Sequence, residues 1–402
     1  MTPSSASILK TTKVPLVIAN IAFPRYSRIG AGAVNELPSL IDSLGLRRPL
    51  LVTDAYLTQT GAVDRLLTLL RGAGINAAVF DGTVPDPTTE SLDRGVEALR
   101  AHLADCVIGF GGGSPMDSAK ALAVLASQGG PMRKFKAPSS YGGSALPIIA
   151  IPTTAGSGSE ATQFTVISDS DSNEKMLCPG LSFLPVAAII DYELTISMPP
   201  RLTADTGVDA LAHAVEAYVS RKANAISDAM SLSAINLISA NLRRVYHDGT
   251  DLAAREAMMS AATQAGMAFS NSSVTLVHGM SRPIGAHFHV AHGLSNAMLF
   301  PRVTAFSVSG AQPRYADCAR AFGLADPATS DVIAVQRMVD ALDELCHDLE
   351  VPTPKSYGID HDTWTRLTPL MAQQAVASGS PANNPIVPSL EEIERIYTEV
   401  YG

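Results

Sequence analysis

"CVIGFGGGSPMDSAK", residues 106–120, runs from a short apolar stretch through Gly109, Gly111, Gly112, Gly113 and Ser114 into a segment carrying Asp117 and Lys120. The apolar start reads as a strand and the segment from Pro115 onward as a helix. Glycines at such a turn let the backbone come close to a pyrophosphate, and the helix N-terminus offers free N–H groups and partial positive charge. The loop departs from the usual dinucleotide fingerprint, because it follows the third strand of its series and has Ser114 in sixth place. A tight turn with glycines packed for geometry is the alternative.

Outward from this stretch the chain alternates strands and helices. Upstream lie "PLLVTD" (49–54), a helix near 58–73, "AAVFDG" (77–82) and a helix near 88–103; downstream lie "LPIIAIPTT" (146–154) and "VAAIID" (186–191). Strands this apolar belong to a parallel sheet covered on both faces. After Pro199-Pro200 the segments are helical, and "SGSPANNPIVPS" (378–389) is a loop. The expected division is an α/β dinucleotide-binding domain over 1–195 and an all-helical metal-binding and substrate domain over 196–402. The length of 402 residues is sufficient for two cores.

The composition, 46% hydrophobic and 17% charged with a formal net charge of −9, describes a folded chain with no basic run for nucleic acid or an anionic membrane. Small molecules are the expected ligands. Cys106, Cys178, Cys318 and Cys346 are far apart, which suggests neither a disulfide framework nor a zinc knuckle and fits the cytoplasm. The N-terminus lacks a signal-peptide pattern, and no stretch is long enough to span a membrane.

Three further segments carry chemistry. "IPTTAGSGSE" (151–160) exposes Thr153, Thr154, Ser157 and Ser159 at a strand end, where a ligand crosses a parallel sheet. Asp54 ends the first strand of the series; there it would accept hydrogen bonds from ribose hydroxyls and repel the additional phosphate of NADP, or else cap the following turn. "TADTGVDALAHAVEAYVS" (203–220) places Val208, Leu211, Ala212, Val215 and Val219 on one helical face and Asp209, His213 and Glu216 on another. Asp and His four apart can reach one ion, although a solvated acidic stripe with a core histidine explains them too. "VHGMSRPIGAHFHVAHG" (277–293) holds four of the nine histidines. His278 is read as ending an apolar helix and His292 as beginning the next, each followed by a glycine that leaves room for another group. With Asp209 and His213 they supply three imidazoles and one carboxylate, a set suited to Fe²⁺ or Zn²⁺ rather than Mg²⁺ or Ca²⁺.

"GFGGGSPMDSAK", "IPTTAGSGSE", "RLTADTGVDALAHAVEAY" and "LVHGMSRPIGAHFHVAHGLSNAMLFP" resemble, in order and spacing, the signature blocks of the iron-containing (group III) alcohol dehydrogenases. The likeness runs from "FPRYSRIGAGAVNEL" to "NNPIVPSLEEIERIY", essentially the whole chain. The resemblance implies an N-terminal Rossmann-like α/β domain plus an all-α C-terminal domain, the dehydroquinate synthase-like architecture, with the site in the cleft between them. It implies Asp209, His213, His278 and His292 as metal ligands, and Asp54, Gly112, Gly113, Ser114, Asp117, Thr153, Thr154, Ser157 and Lys175 around the nucleotide and nicotinamide. His287 and His289 fall at variable positions, facing the pocket or solvent.

One position departs from the family. Four residues after His278 many members carry a proton-relaying histidine, and this chain has Arg282. Arginine stays protonated and cannot relay, but it can hold an anionic substrate group or form a structural ion pair. The expected activity is a metal-dependent, NAD-preferring alcohol dehydrogenase or aldehyde reductase acting on a small alcohol or aldehyde, an anionic one if Arg282 serves as the clue, and working as a homodimer. Fe²⁺ is the expected metal and Zn²⁺ the alternative. The rivals are a glycerol dehydrogenase- or maleylacetate reductase-like enzyme, a dehydroquinate synthase-like lyase, and an inactive metal- or nucleotide-binding protein.

Overall fold

Leu50 and Val52 pack with one apolar cluster and Leu51 with another, so alternate residues of a single strand are buried on opposite faces of a sheet. The computed structural model describes residues 18–172 and 174–402. Its strands are β1 (Tyr26–Ile29), β2 (Pro49–Asp54), β3 (Ala78–Thr83), β4 (Cys106–Gly111), β5 (Ile148–Pro152), β6 (Phe164–Asp169), β7 (Glu174–Pro179) and β8 (Ala187–Ile190). Six of them form a parallel sheet in the order β1-β8-β5-β4-β2-β3, with Leu51 beside Ile108 and Val107 beside Ile148. Helices α1 (Leu37–Ser43) and α3 (Ala62–Gly72) cover one face, and α4 (Thr89–His102) and α5 (Gly113–Gln128) the other. The short α2 (Ala55–Gln59) follows β2 directly.

The helix expected over 58–73 is therefore two helices, broken at Gly61, which takes a left-handed φ of 77°. The helix expected from Pro115 begins at Gly113, so Gly113 and Ser114 belong to its first turn. Two features went unforeseen: the edge strand β1 and the antiparallel hairpin β6–β7. The hairpin is fastened to α5 from beneath. The Lys120 ammonium, fully buried, donates to Thr162 O, Thr162 Oγ1 and Phe164 O at 2.9, 3.0 and 2.8 Å.

Among the described residues no strand follows Ile190. The rest is helical: α6 (Pro200–Val219), α7 (Ala225–His247), α8 (Leu252–Ser270), α9 (Leu276–Phe288), α10 (His292–Ser307), α11 (Gln312–Ala321), α12 (Asp331–Asp348), α13 (Pro354–Tyr357), α14 (His361–Ala377) and α15 (Leu390–Tyr401). α6 is buried nearly all round, and its two apolar sides pack in one large cluster with α7, α8 and α10. Among the described residues no helix is long and apolar enough to cross a membrane.

Candidate metal centre and cofactor cleft

The strand order fixes where a ligand can lie. In the series starting at β2, neighbours run second, first, third, fourth, and the order in which strands are added reverses between the parallel neighbours β2 and β4. Crevices at such switch points, beyond the carboxyl ends of the strands, are where doubly wound sheets bind nucleotides. Asp54 and Gly111–Gly113 flank this one. The third-strand position of the glycine loop, odd for the usual fingerprint, follows from this order. No side chain caps α5, so its first N–H groups are left to a ligand.

A cleft of about 490 Å³ runs from Gly113, Ser114 and Ser157 across the hairpin to His213, His278 and His292. Asp117 and Lys175 also line it. Asp117 has its carboxylate engaged by Ser159 Oγ at 2.8 Å and Val166 N at 2.9 Å, and Lys175 Nζ pairs with Asp86 at 2.8 Å. Gly112, Thr153 and Thr154 stand behind the cleft wall: a Cβ on Gly112 would touch Thr154 at 3.5 Å, and Thr153 N donates to Gly111 O at 2.9 Å. Asp54 lies at its strand end as expected and also caps α2, accepting from Leu57 N at 2.9 Å through Oδ1.

At the far end of the cleft α6, α9 and α10 converge. Asp209, His213, His278 and His292 each bring one ligand atom within 4.8 Å of the others. Asp209 Oδ1 lies 3.4 Å from His278 Nε2, 3.8 Å from His213 Nε2 and 4.0 Å from His292 Nε2. Asp209, His213 and Glu216 are at most 3% exposed, which rules out the solvated acidic stripe. His278 does not end a helix; the chain breaks at Asn271–Thr275 and His278 sits in the first turn of α9. His292 opens α10 as expected. The glycines after both serve close approach: a Cβ on Gly293 would lie 2.6 Å from Asp205 O on α6, and one on Gly279 would lie 2.8 Å from Pro381.

The donor set fits a divalent transition metal. Burial pushes the His213 imidazole down to about 3 and that of His292 to about 4, leaving both neutral with lone pairs to give. Burial also opposes charge on Asp209, yet His213, His292 and His278 outweigh it and hold the carboxyl below its usual range. Among the described residues His213 Nδ1 is a buried nitrogen without a hydrogen-bond partner. Its ring is held between Phe269 and His278, with centroids 4.3 and 4.4 Å away.

Two residues around the cluster had no role in the sequence reading. Glu216 hydrogen-bonds His278 Nδ1 through Oε2, while its Oε1 accepts from Thr275 Oγ1 and Val277 N at 2.7 Å each. Its spacing, two turns after Asp209, was the available signal. Asn296, one turn after His292, donates to Asp209 Oδ1 at 2.6 Å. Neither His287 nor His289 reaches the cleft: His287 Nε2 pairs with Gln374 Oε1 at 2.9 Å, and His289 is the exposed, left-handed cap of α9. Arg282 does line the cleft, and the structural ion pair weighed for it is absent among the described residues.

Comparison with known proteins agrees with this geometry. Residues 24–192 match the family described as iron-containing alcohol dehydrogenase, and residues 203–401 match the C-terminal part of the Fe-containing alcohol dehydrogenase family. The chain is 38% identical over 391 residues to long-chain-alcohol dehydrogenase 1 of Geobacillus thermodenitrificans, covering 96% of this chain and 97% of that protein. It is 34% identical over 380 residues to the NAD-dependent methanol dehydrogenase of Bacillus methanolicus, covering 94% and 99%. A crystal structure of 1,3-propanediol oxidoreductase superposes with a TM-score of 0.92 at 34% identity, covering 96% of this chain and all of that one. The chain belongs to the iron-containing alcohol dehydrogenase family.

Proposed function

We propose that the protein is an NAD-preferring, metal-dependent alcohol dehydrogenase, working equally as an aldehyde reductase on small substrates. The observation that carries this reading is the convergence of one carboxylate and three imidazoles at one end of a cleft whose other end is an uncapped helix N-terminus. When bound, Fe²⁺, or Zn²⁺ as the alternative, supplies Lewis acidity toward the substrate oxygen and NAD supplies the hydride acceptor.

The chain's own groups do the rest. The N–H groups of Gly113 and Ser114 receive the pyrophosphate, with Gly112, Thr153, Thr154 and Ser157 shaping the approach and Asp117 and Lys175 flanking it. Asp54 takes the ribose hydroxyls and repels a 2′-phosphate. Asp209, His213, His278 and His292 hold the metal. Phe164, Val166, Leu177, Phe269 and Val274 form an apolar wall that keeps water from the reacting atoms. Arg282 cannot accept the alcohol proton, and neither His287 nor His289 lines the cleft, so that proton leaves through water or a ribose hydroxyl. The division near residue 195 separates the nucleotide half, 1–195, from the metal and substrate half, 196–402; a cytoplasmic homodimer is the working form.

The test is protein reconstituted with Fe²⁺ or Zn²⁺ and assayed for NADH formation from small primary alcohols, alongside His292→Ala. Metal content and turnover fall together in the variant. Turnover by metal-free His292→Ala contradicts the assignment, and absence of net NADH formation favours the lyase or the inactive binding protein.

A further inference from the structure

Arg282 lies one helical turn beyond His278 on α9, and among the described residues its charge has no counterion. Arg201, Arg243, Arg244, Arg314 and Arg320 each meet a carboxylate within 2.7 Å. The buried Arg255 instead spreads over Gly249 O, Thr203 Oγ1 and Met198 O at 2.9, 3.1 and 3.3 Å. Arg282 has one side-chain partner, Ser380 Oγ at 2.9 Å, and among the described residues no carboxylate approaches it within ion-pair distance. A guanidinium carries five N–H donors in a rigid fork, so most of this one is left to the cleft.

The surrounding groups do not neutralise it. Glu216, whose charge influences it, already accepts from Thr275, Val277 and His278, and Glu174, which shares a smaller neighbouring pocket with it, is paired with Arg133 and Lys136. Of the acids lining the cleft, Asp86 is paired with Lys175 and Asp117 is held by Ser159 and Val166. The cleft lining also holds the hydroxyls of Ser273 and Ser380 and two further cations, Lys175 and Lys222. Arg282 is half-buried, and drawing an unpaired cation even partly out of water is costly unless a partner compensates it. A lining rich in donors and lacking free acids selects an anion as that partner.

We infer that Arg282 binds an anionic group, a carboxylate, sulfonate or phosphonate, carried by the aldehyde or alcohol whose oxygen lies at the Asp209–His213–His278–His292 cluster. Arg282 and His278 lie one turn apart on α9 and both line the cleft, so one substrate can place its carbonyl at the cluster and its charge at the other end. This rests on the dehydrogenase reading and narrows its substrate class.

The experiment has two arms. In the first, phosphonoacetate, sulfoacetate and malonate are titrated calorimetrically into the metal-free protein–NADH complex, which needs no turnover. Wild type binds at least one of them, Arg282→Gln binds it ten- to hundredfold more weakly, and Arg282→Lys recovers part of the loss. In the second, kcat/KM of the metal-loaded enzyme is measured for two- and three-carbon aldehydes bearing each anion and for propanal. Wild type favours an anionic aldehyde at least tenfold over propanal, and Arg282→Gln collapses that ratio; the anion giving the largest ratio identifies the group. An unchanged ratio overturns the inference, as does a wild type that prefers propanal, which needs no variant to observe. An equal loss of NADH affinity in Arg282→Gln places the guanidinium on the cofactor and also overturns it. If wild type reduces no aldehyde at all, the dehydrogenase reading fails, while the binding arm still decides whether Arg282 holds an anion.

Discussion

Glu216 holds His278 in place from the side away from the other residues of the cluster, pairing with its Nδ1 while Nε2 faces Asp209. The carboxylate fixes the ring's orientation and the nitrogen that is free to bind. Glu216→Gln keeps the shape but removes the charge, and metal affinity should fall about ten- to hundredfold. Glu216→Ala also strands the Thr275 hydroxyl and Val277 N–H, for about 1–3 kcal/mol of lost stability. Chelator competition and thermal melts measure the two effects; a folded Glu216→Gln protein with wild-type metal affinity disproves the role.

Metal uptake should release about one proton per site near pH 7. His213 and His292 are already neutral there, whereas His278 is held up at about 9: burial opposes its charge, but Glu216 and Asp209 outweigh burial. Apparent metal affinity therefore rises by about one decade per pH unit below pH 9 and levels off above it. The sign for the metal-free fold is opposite. A histidine raised above its ordinary 6.5 stabilises fully below that value and loses the contribution as pH rises through about 9. Calorimetry in two buffers of different ionisation enthalpy counts the protons, and a count of zero refutes the prediction.

The two halves of the chain meet backbone to backbone at Gly158 and Gly266. A Cβ on Gly158, whose φ is +61°, would lie 2.5 Å from Gly266 Cα, and one on Gly266 would lie 2.7 Å from Gly158 O. Gly266→Ala should destabilise by about 1–3 kcal/mol through overpacking. Because Ser157 and Phe269 flank this contact, KM for NAD should rise as well. A variant with unaltered melting temperature and KM shows that the seam yields without strain.

Asp54 caps α2 and stands at the switch point of the sheet. Asp54→Gly should raise the ratio of NADPH to NADH use about ten- to hundredfold, by removing a charge that opposes the 2′-phosphate. Glycine is a tolerated N-cap, so stability should fall by only a few tenths of a kcal/mol. Paired steady-state assays with the two cofactors check this; an unchanged ratio assigns Asp54 to capping alone.

Periodicity and local chemistry were enough to read β2, β4, β5 and β8, the glycine turn and the helical second half, because apolar runs and turn residues act over a few neighbours. β1 escaped notice because it is four residues long and half exposed. The hairpin β6–β7 was missed because its burial alternates and its second strand opens with Glu174 and Lys175. The helix break before His278 carries its own turn signal, Asn271, Ser272 and Ser273, which the apolar segments on either side overshadowed.

The sequence by itself determined that Asp209, His213 and Glu216 share a face of one helix, since 3.6 residues per turn is a local rule. Only the tertiary structure decided that His278, 62 positions after Glu216, becomes its partner, and that Arg282 faces a cleft with no counterion among the described residues. Those outcomes depend on how α6, α9, α10 and the loop at Ser380 pack together, and packing distances between remote segments are not written in the spacing of any one of them.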